Sequence, residues 1–160
     1  MSFPVNFDLL AHRHDAIPVL GRWYHQEWGQ RLRNESEAES IERVKGYLSE
    51  DKIPFIVVAT KAAEILGAAQ LKYREMADVF PEKEHWLGGV FVSPAHRGRG
   101  LGCKLAQEIA NRAPSYGVET LHLQTERLDG GFYVRLGWRP VKQVRHHSLD
   151  VLVMERQVGT

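Results

Sequence analysis

Apolar residues recur along this chain with two different periods, which separate predicted helices from predicted strands. After a first strand at Phe7 to Leu10, apolar side chains three or four residues apart predict a helix that is capped by Asp15 and ends at Gly29. A second helix begins at Ser36, which has the spacing of a capping box with Glu39. The first third of the chain is therefore predicted to be one strand followed by two helices.

The rest of the chain alternates between strand and helix patterns. Runs of β-branched or alternating residues predict strands at 55–59, 65–73, 86–92, 121–125, 140–146 and 149–156, and helical spacing predicts helices at 100–113 and 132–136. The predicted order is β-α-α-β-β-β-α-β-α-β-β. Because helix 100–113 can join parallel strands while hairpins must be antiparallel, we expect an α/β fold with a mixed sheet covered by helices.

Length and composition limit what such a protein can be. With 160 residues and 18.3 kDa, the chain is expected to form a single domain over residues 1–160. A formal net charge of +1 argues against a dedicated nucleic-acid binder. No apolar run approaches the roughly 18 residues of a membrane span, and the amino end lacks the pattern of a signal peptide.

The single cysteine and the distribution of charge add two expectations. Cys103 alone excludes a disulfide framework and a multi-thiolate zinc site, and it fits a reducing compartment, so we expect a cytoplasmic protein. The histidines at 12, 14, 146 and 147 lack thiolate partners, and we expect no metal site. Residues 95–160 contain more Lys and Arg than Asp and Glu, whereas residues 1–94 contain fewer, so an anion is expected to bind in the second part.

A glycine-rich turn lies between the strand predicted at 86–92 and the helix predicted at 100–113. Gly98, Gly100 and Gly102 occupy alternate positions, so consecutive backbone N–H groups and the helix dipole would converge on one spot. Arg97 and Arg99 add charge suited to phosphate oxygens. The pattern indicates a phosphate-binding loop, although a surface loop that caps an ordinary helix would have the same glycines.

Two familiar nucleotide-binding motifs do not fit this turn. A P-loop requires Ser or Thr after its lysine, whereas Lys104 is followed by Leu105. The dinucleotide fingerprint requires G-x-G-x-x-G at the start of a βαβ unit, whereas the spacing here is G-x-G-x-G after a run of hairpin strands. Binding of a nucleoside triphosphate or of NAD is therefore not expected.

The turn resembles the phosphate-binding motif of the GNAT acyl-CoA N-acyltransferase superfamily. The family pattern, Arg/Gln-x-x-Gly-x-Gly/Ala, is matched by Arg97, Gly100 and Gly102. A second family signature, aromatic-Tyr-x-x-x-Gly-aromatic, is matched by the segment 132–138, Phe-Tyr-Val-Arg-Leu-Gly-Trp. Since the resemblance extends from about residue 7 to residue 156, it implies the GNAT fold for nearly the whole chain.

The resemblance implies that acetyl-CoA is the co-substrate and that an amine attacks its thioester directly. The strand residues Val90, Phe91 and Val92 would contact the acetyl group and the pantetheine arm, with the Val90 amide donating to the oxyanion, as a preorganised N–H group can do. The residues that the resemblance assigns to the pyrophosphate are Arg97, Gly98, Arg99, Gly100, Leu101, Gly102, Cys103 and Lys104.

Tyr133 occupies the family position of the general acid. Free tyrosine has a pKa of about 10 and a free thiol one of about 8.5, so a hydrogen bond to the departing thiolate would matter more than full proton transfer. The alternative is that Tyr133 only packs between helix and sheet.

A general base is harder to assign. If the strand at 86–92 is regular, the side chains on the face of Val90 are Gly88 and Trp86, which cannot take a proton. Glu84 comes next along that face and His85 points the other way, so these two are the candidates, acting through water. A site without an obvious base would suit an α-amine, which is roughly a tenth neutral at pH 7.

The acceptor site has three sequence candidates. The segment 121–125 with Phe132-Tyr133 resembles the subgroup that contains the N-terminal acetyltransferase of actin, and this implies that Trp28 contacts the acceptor; a core role on the first helix is the alternative. Trp86 is the second candidate contact. Glu35, Glu37, Glu39 and Glu42 could attract a polyamine or aminoglycoside, or could form a solvated helix face.

The expected function is transfer of an acetyl group from acetyl-CoA to a primary amine of a small molecule or a peptide. An aminoglycoside- or polyamine-type acetyltransferase and a non-catalytic acyl-CoA-binding sensor are the alternatives. We expect neither nucleic acid nor membrane as a partner, and the sequence leaves open whether the chain forms a homodimer.

Overall fold

The computed structural model describes residues 4–159, and all seven of their strands form one mixed sheet. The strands are β1 Asn6–Leu9, β2 Phe55–Lys61, β3 Glu64–Tyr73, β4 His85–Val92, β5 Thr120–Thr125, β6 Arg139–His146 and β7 Leu149–Gln157. Their order across the sheet is β1-β2-β3-β4-β5-β7-β6. Only β4 and β5 pair in parallel, and the other neighbours are antiparallel, which confirms the predicted mixed α/β fold.

Four α-helices accompany the sheet. They are α1 Ala16–Tyr24, α2 Gln30–Arg33, α3 Glu37–Lys45 and α4 Leu101–Arg112. The capping box that begins α3 is confirmed, because Ser36 Oγ accepts from the Glu39 amide and Glu39 Oε1 accepts from the Ser36 amide, each at 3.1 Å. The longest helix, α4, has 12 residues, and no helix within residues 4–159 is long and apolar enough to cross a membrane.

Two local predictions were wrong. Asp15 makes no side-chain cap for α1, because its carboxylate accepts from the Arg13 guanidinium at 2.9 and 3.0 Å instead. The helix predicted to run to Gly29 stops being α-helical at Tyr24 and continues as a π-helical turn over His25–Gly29. The short helix predicted at 132–136 is confirmed as a 3-10 helix over Gly131–Leu136.

The sheet buries a core on each face. On one face, α4 packs Leu105 and Ile109 against strand residues that include Leu87 and Leu123. On the other face, α1 packs Leu20 and Tyr24 against the opposite side of β2 to β4, with α3 beside it. The alternation of side chains along β4 therefore decides which layer each residue of the strand meets.

A β-bulge interrupts this alternation in the middle of β4. Gln70 of β3 pairs with Gly88 and Ala68 pairs with Phe91, so Gly89 and Val90 together lie opposite a single residue of β3. Gly89 has φ = 55°, in the left-handed region that glycine tolerates. Because the bulge shifts the parity by one, Val90 lies on the same face as Leu87 and Val92, and the prediction that it shares a face with Gly88 and Trp86 was wrong.

Candidate active site

The parallel strands β4 and β5 separate soon after they meet. Their only paired residues are Trp86 and His122, although β4 continues to Val92 and β5 to Thr125. Two cavities open beside the separated ends, one of about 510 Å³ and one of about 550 Å³. The residues that line both cavities are Glu27, Trp28, Val90, Thr125, Arg127 and Tyr133.

The smaller of the two, here called the loop cavity, lies at the start of α4. Gly98 and Gly100 have φ = 78° and 77°, and a Cβ added to either would have no atom within 4 Å. Gly100 begins the helix without any side-chain cap, so no side chain satisfies the amides of the first helical turn. Open space in front of uncapped amides at the positive end of a helix dipole suits a phosphate group.

Most residues that the sequence assigns to the pyrophosphate line this cavity. They are Arg97, Gly98, Gly100, Leu101, Gly102 and Cys103, with Val90, Phe91 and Val92 on the strand side. Arg99 and Lys104 are exposed and lie outside the cavity lining. Arg97 folds back onto the strand, where its Nε donates to the Val92 carbonyl at 2.9 Å and its guanidinium lies over the ring of Phe91.

The bulge in β4 takes Gly89 and Val90 out of the regular register with β3. Neither residue has a Cα partner in β3, and β5 pairs with β4 only at Trp86. The Tyr24 hydroxyl donates to the Gly89 carbonyl at 2.8 Å and so anchors the bulge from α1. A backbone amide that is held in place at the junction of two cavities can donate to an oxygen that becomes negative during a reaction.

Tyr133 lies at the junction of the two cavities and packs on two aromatic rings. Its ring centroid is 4.3 Å from that of Phe132 and 6.1 Å from that of Trp138. Burial, with smaller contributions from Cys103 and Glu75, raises the pKa of the Tyr133 hydroxyl well above its ordinary value. The hydroxyl therefore stays protonated and can donate a hydrogen bond to a thiolate, but it is a poor source of a full proton.

The base and acceptor candidates from the strand itself lie away from both cavities. The Glu84 carboxylate is half exposed, pairs with Arg74 at 3.8 Å, and lines neither cavity. His85 stacks on Tyr73 at the far end of β4. Trp86 is 0% exposed and its indole N–H donates to the Lys83 carbonyl at 2.7 Å, so it lies in the core rather than beside an acceptor.

The larger cavity, here called the acceptor cavity, lies between the sheet and the segment from α1 to α3. Trp28 lines it from the π-helical turn and packs on Tyr24 and Phe91 at centroid distances of 5.7 and 6.4 Å. Turns of π-helix in an α-helical segment occur often at functional sites. The turn places Trp28 at the junction of the cavities. From helical spacing alone, Trp28 could have been either a core residue or an acceptor contact.

The acidic run around the start of α3 does not present free charge to the acceptor cavity. Glu35 lines the cavity but accepts hydrogen bonds from Ser40 and Arg43. Glu39 belongs to the capping box, and Glu42 pairs with Lys45. Glu37, Glu39 and Glu42 lie outside the cavity lining.

Two charged residues that the sequence analysis did not select lie on the floor of the acceptor cavity. Lys72 Nζ is 2.7 Å from Glu75 Oε1, and their side chains are only 23% and 15% exposed. A Cβ at Gly88 would lie 3.0 Å from both Glu75 Oε1 and Lys72 Cε, so the glycine makes room for the pair. Among residues 4–159, no group of three or more His, Cys, Asp and Glu could hold a metal ion.

Comparison with known proteins places this site in a family. The model of the acetyltransferase (GNAT) family matches residues 18–138, which include β4, the glycine turn and Tyr133. The chain belongs to the GNAT acetyltransferase family. Among curated protein sequences, none matches this GNAT chain.

Solved structures share the GNAT fold at low sequence identity. An aminoglycoside 6'-acetyltransferase type Ii has a TM-score of 0.72 and 18% identity over 96% of this chain and 97% of that chain. YncA from Salmonella typhimurium, solved with its cofactor acetyl-CoA, has a TM-score of 0.71 and 17% identity over 96% and 94% of the two chains. N-acetylglutamate synthase from Neisseria gonorrhoeae, solved with coenzyme A and N-acetyl-glutamate, has a TM-score of 0.66 and 16% identity, and the likeness covers 99% of this chain and 36% of that one.

The loop cavity of this GNAT chain fits the phosphate end of acetyl-CoA. The uncapped amides of α4 face open space, and Gly98 and Gly100 hold the left-handed backbone that turns the chain around that space. The separated ends of β4 and β5 provide a path from the loop cavity to Val90 and Tyr133. A long ligand with an anionic end and a thioester end could therefore occupy the loop cavity and reach the junction.

Proposed function

We propose that this chain transfers an acetyl group from acetyl-CoA to the primary amine of a small molecule, by direct attack of the amine on the thioester. The observation that supports this most is the meeting of two cavities at Val90 and Tyr133. One cavity has the uncapped helix end that suits a pyrophosphate, and the other has a volume typical of small-molecule sites.

Each residue at the junction has a distinct part in this reaction. Acetyl-CoA supplies an activated acetyl thioester. The Val90 amide would donate to the carbonyl oxygen as negative charge develops on it, a contribution typically worth a few kcal/mol of barrier. The Tyr133 hydroxyl would donate to the sulfur as the C–S bond breaks, and Trp28 would form an apolar wall beside the amine.

The size of the acceptor cavity favours a small molecule over a peptide. The Lys72–Glu75 pair and Trp28 line this cavity of about 550 Å³. The expectation of an α-amine depended on the lack of a carboxylate beside Val90, and Glu75 lines the same cavity as Val90. Polyamines, aminoglycosides and amino acids are therefore all suitable test acceptors.

The test is thiol release from acetyl-CoA with a panel of polyamines, aminoglycosides, free amino acids and short peptides, together with calorimetric titration of CoA. We expect CoA to bind and at least one class of small amine to be acetylated. Turnover with peptides alone would contradict the small-molecule acceptor. Binding of CoA without turnover of any amine would overturn the proposal in favour of an acyl-CoA-binding module.

A further inference from the structure

The Lys72–Glu75 ion pair lines the acceptor cavity with little of either side chain exposed. Burial disfavours the charge of Lys72, but the neighbouring Glu75 carboxylate more than compensates and the pKa of Lys72 is raised. Removing water from two charges is costly, so a pair with so little exposure needs good geometry to persist. The pair places a carboxylate inside the cavity, on the side of the sheet that faces α1.

The turn that carries Glu75 is held in place on both sides. Arg74 has φ = 45°, in the left-handed region, and its amide donates to the Glu84 carbonyl at 2.8 Å. On the other side, Met76 is fully buried and its carbonyl accepts from the Phe80 amide at 2.7 Å. Because both neighbours are fixed, the Glu75 carboxylate has a defined position rather than a choice of positions at the surface.

The distances suit a proton acceptor for an amine held beside Val90. Glu75 Oε1 would lie 3.0 Å from a Cβ at Gly88. Gly88 and Val90 are two residues apart, which is about 7 Å at most along a strand. An amine nitrogen between them could hydrogen-bond the carboxylate at about 3 Å and approach a carbonyl carbon bound at Val90 at about 3 Å.

The other carboxylates of the cavity are less suitable. Glu35 already accepts from Arg43 and Ser40. Glu126 lies 3.6 Å from Arg31 and is half exposed. Glu27 is exposed on the π-helical turn. Glu75 is therefore the carboxylate that combines low exposure with a position close to Gly88 of β4.

We propose that Glu75 accepts the proton of the acceptor amine and that Lys72 is a positioning residue that holds the Glu75 carboxylate. This role rests on the proposed function. The amine lone pair forms the C–N bond, the C–S bond breaks, and its electron pair leaves on sulfur. The amine binds as an ammonium ion, so Glu75 first takes one proton, which frees the lone pair, and returns that proton to solvent. The second proton that nitrogen loses reaches the sulfur through solvent, while the Tyr133 hydroxyl donates a hydrogen bond to the departing thiolate.

The decisive experiment compares kcat/KM of the wild type and Glu75→Gln from pH 6 to pH 9, with the most active amine of the panel. The wild type can use the protonated amine, whereas the variant depends on the neutral fraction, which rises tenfold per pH unit below the amine pKa. For an amine with a pKa of about 8, we expect a loss of about a hundredfold at pH 6 that nearly disappears at pH 9.

Two further variants separate proton transfer from structure. Glu75→Asp keeps a carboxylate and is expected to restore part of the activity at pH 6. Glu82→Gln changes an exposed carboxylate of the same β3–β4 connection and is expected to behave as the wild type. His146 and His147 line the same cavity. Any effect that they have on activity is common to the wild type and the variant, so it cancels in the ratio of the two kcat/KM values at each pH.

The outcomes distinguish this role from the proposed function. A wild type that acetylates no amine overturns the proposed function and this role with it. An active wild type whose Glu75→Gln variant binds CoA normally and loses no activity overturns the role alone. A loss that is the same at every pH assigns Glu75 a purely structural part and also overturns it.

Discussion

The Tyr24 hydroxyl donates a hydrogen bond to the Gly89 carbonyl across 2.8 Å, and this contact joins α1 to the bulge of β4. In this bulge two residues of β4 oppose one residue of β3. The backbone can adopt it because Gly89 tolerates φ = 55°. Without it, Val90 would lie on the opposite face of the sheet and in regular register with β3. A helix side chain thus helps to determine the geometry of the candidate oxyanion donor.

Tyr24→Phe is expected to lower the free energy of unfolding by about 1 kcal/mol, because it removes one partly buried hydrogen bond while keeping the ring. It is also expected to lower kcat more than it weakens CoA binding, since the bulge loses its anchor. Urea denaturation and thiol release measure the two effects. The control is Tyr73→Phe, at an exposed tyrosine of β3, and equal results for the two variants would contradict the anchoring role.

Tyr133→Phe is expected to lower kcat by about a hundredfold while the affinity for CoA stays within about twofold. The ring still packs on Phe132 and Trp138, so only the hydroxyl is lost. Because burial raises the pKa of Tyr133, the hydroxyl remains protonated and the loss should be the same from pH 6 to pH 9. Steady-state kinetics and calorimetry check this, and an unchanged kcat would remove Tyr133 from the mechanism.

Gly102→Ala is expected to raise stability without weakening CoA binding. A Cβ at this position would meet the Phe132 ring at 3.6 Å and Val92 Cγ2 at 3.9 Å, both ordinary distances, and alanine is a better helix former by about 0.5–1 kcal/mol. Because the family pattern accepts alanine at this position, we expect an equal or higher melting temperature and CoA binding within about twofold of the wild type, as measured by thermal denaturation and calorimetry.

A matched control for Gly102→Ala is Gly46→Ala at the end of α3, where φ is −70° and the residue lines neither cavity. This variant should bind CoA as the wild type does. A loss of CoA affinity of about tenfold or more in Gly102→Ala alone would contradict this expectation and would show that the ligand leaves no room for a methyl group at the first turn of α4.

The sequence was informative where contacts are local and less so where they are not. Hydrophobic periodicity predicted every strand, and the spacing of Arg97, Gly100 and Gly102 located the loop cavity. Val90 was predicted on the wrong face of β4 because the strand was assumed to be regular. Two adjacent glycines within a strand are themselves a signal of a bulge. Glu75 could not be selected as a site residue from the sequence, because it approaches Gly88 only through the fold of the β3–β4 connection. The path of that connection depends on the backbone at Arg74 and on the burial of Met76.

Glu35 provides a prediction about pH and stability. Its side chain is 7% exposed and accepts from Ser40 Oγ at 2.7 Å and from Arg43 Nε at 2.9 Å. The hydrogen bonds from Arg43, and then that from Ser40, outweigh the effect of burial and lower the pKa of Glu35 from 4.5 to about 2. A pKa that is lower in the folded state means that this stabilisation is complete above about pH 4.5 and is lost as the pH falls towards 2.

Glu35→Gln is therefore expected to unfold more easily than the wild type by about 1–3 kcal/mol at pH 7, and this difference should shrink below pH 4.5 and nearly vanish at pH 2. Urea denaturation at a series of pH values measures it. Glu42→Gln is the control, because that carboxylate is 69% exposed and its pairing with Lys45 contributes little. A difference that persists unchanged to pH 2 would show that packing around the side chain, rather than its charge, joins α3 to the preceding turn.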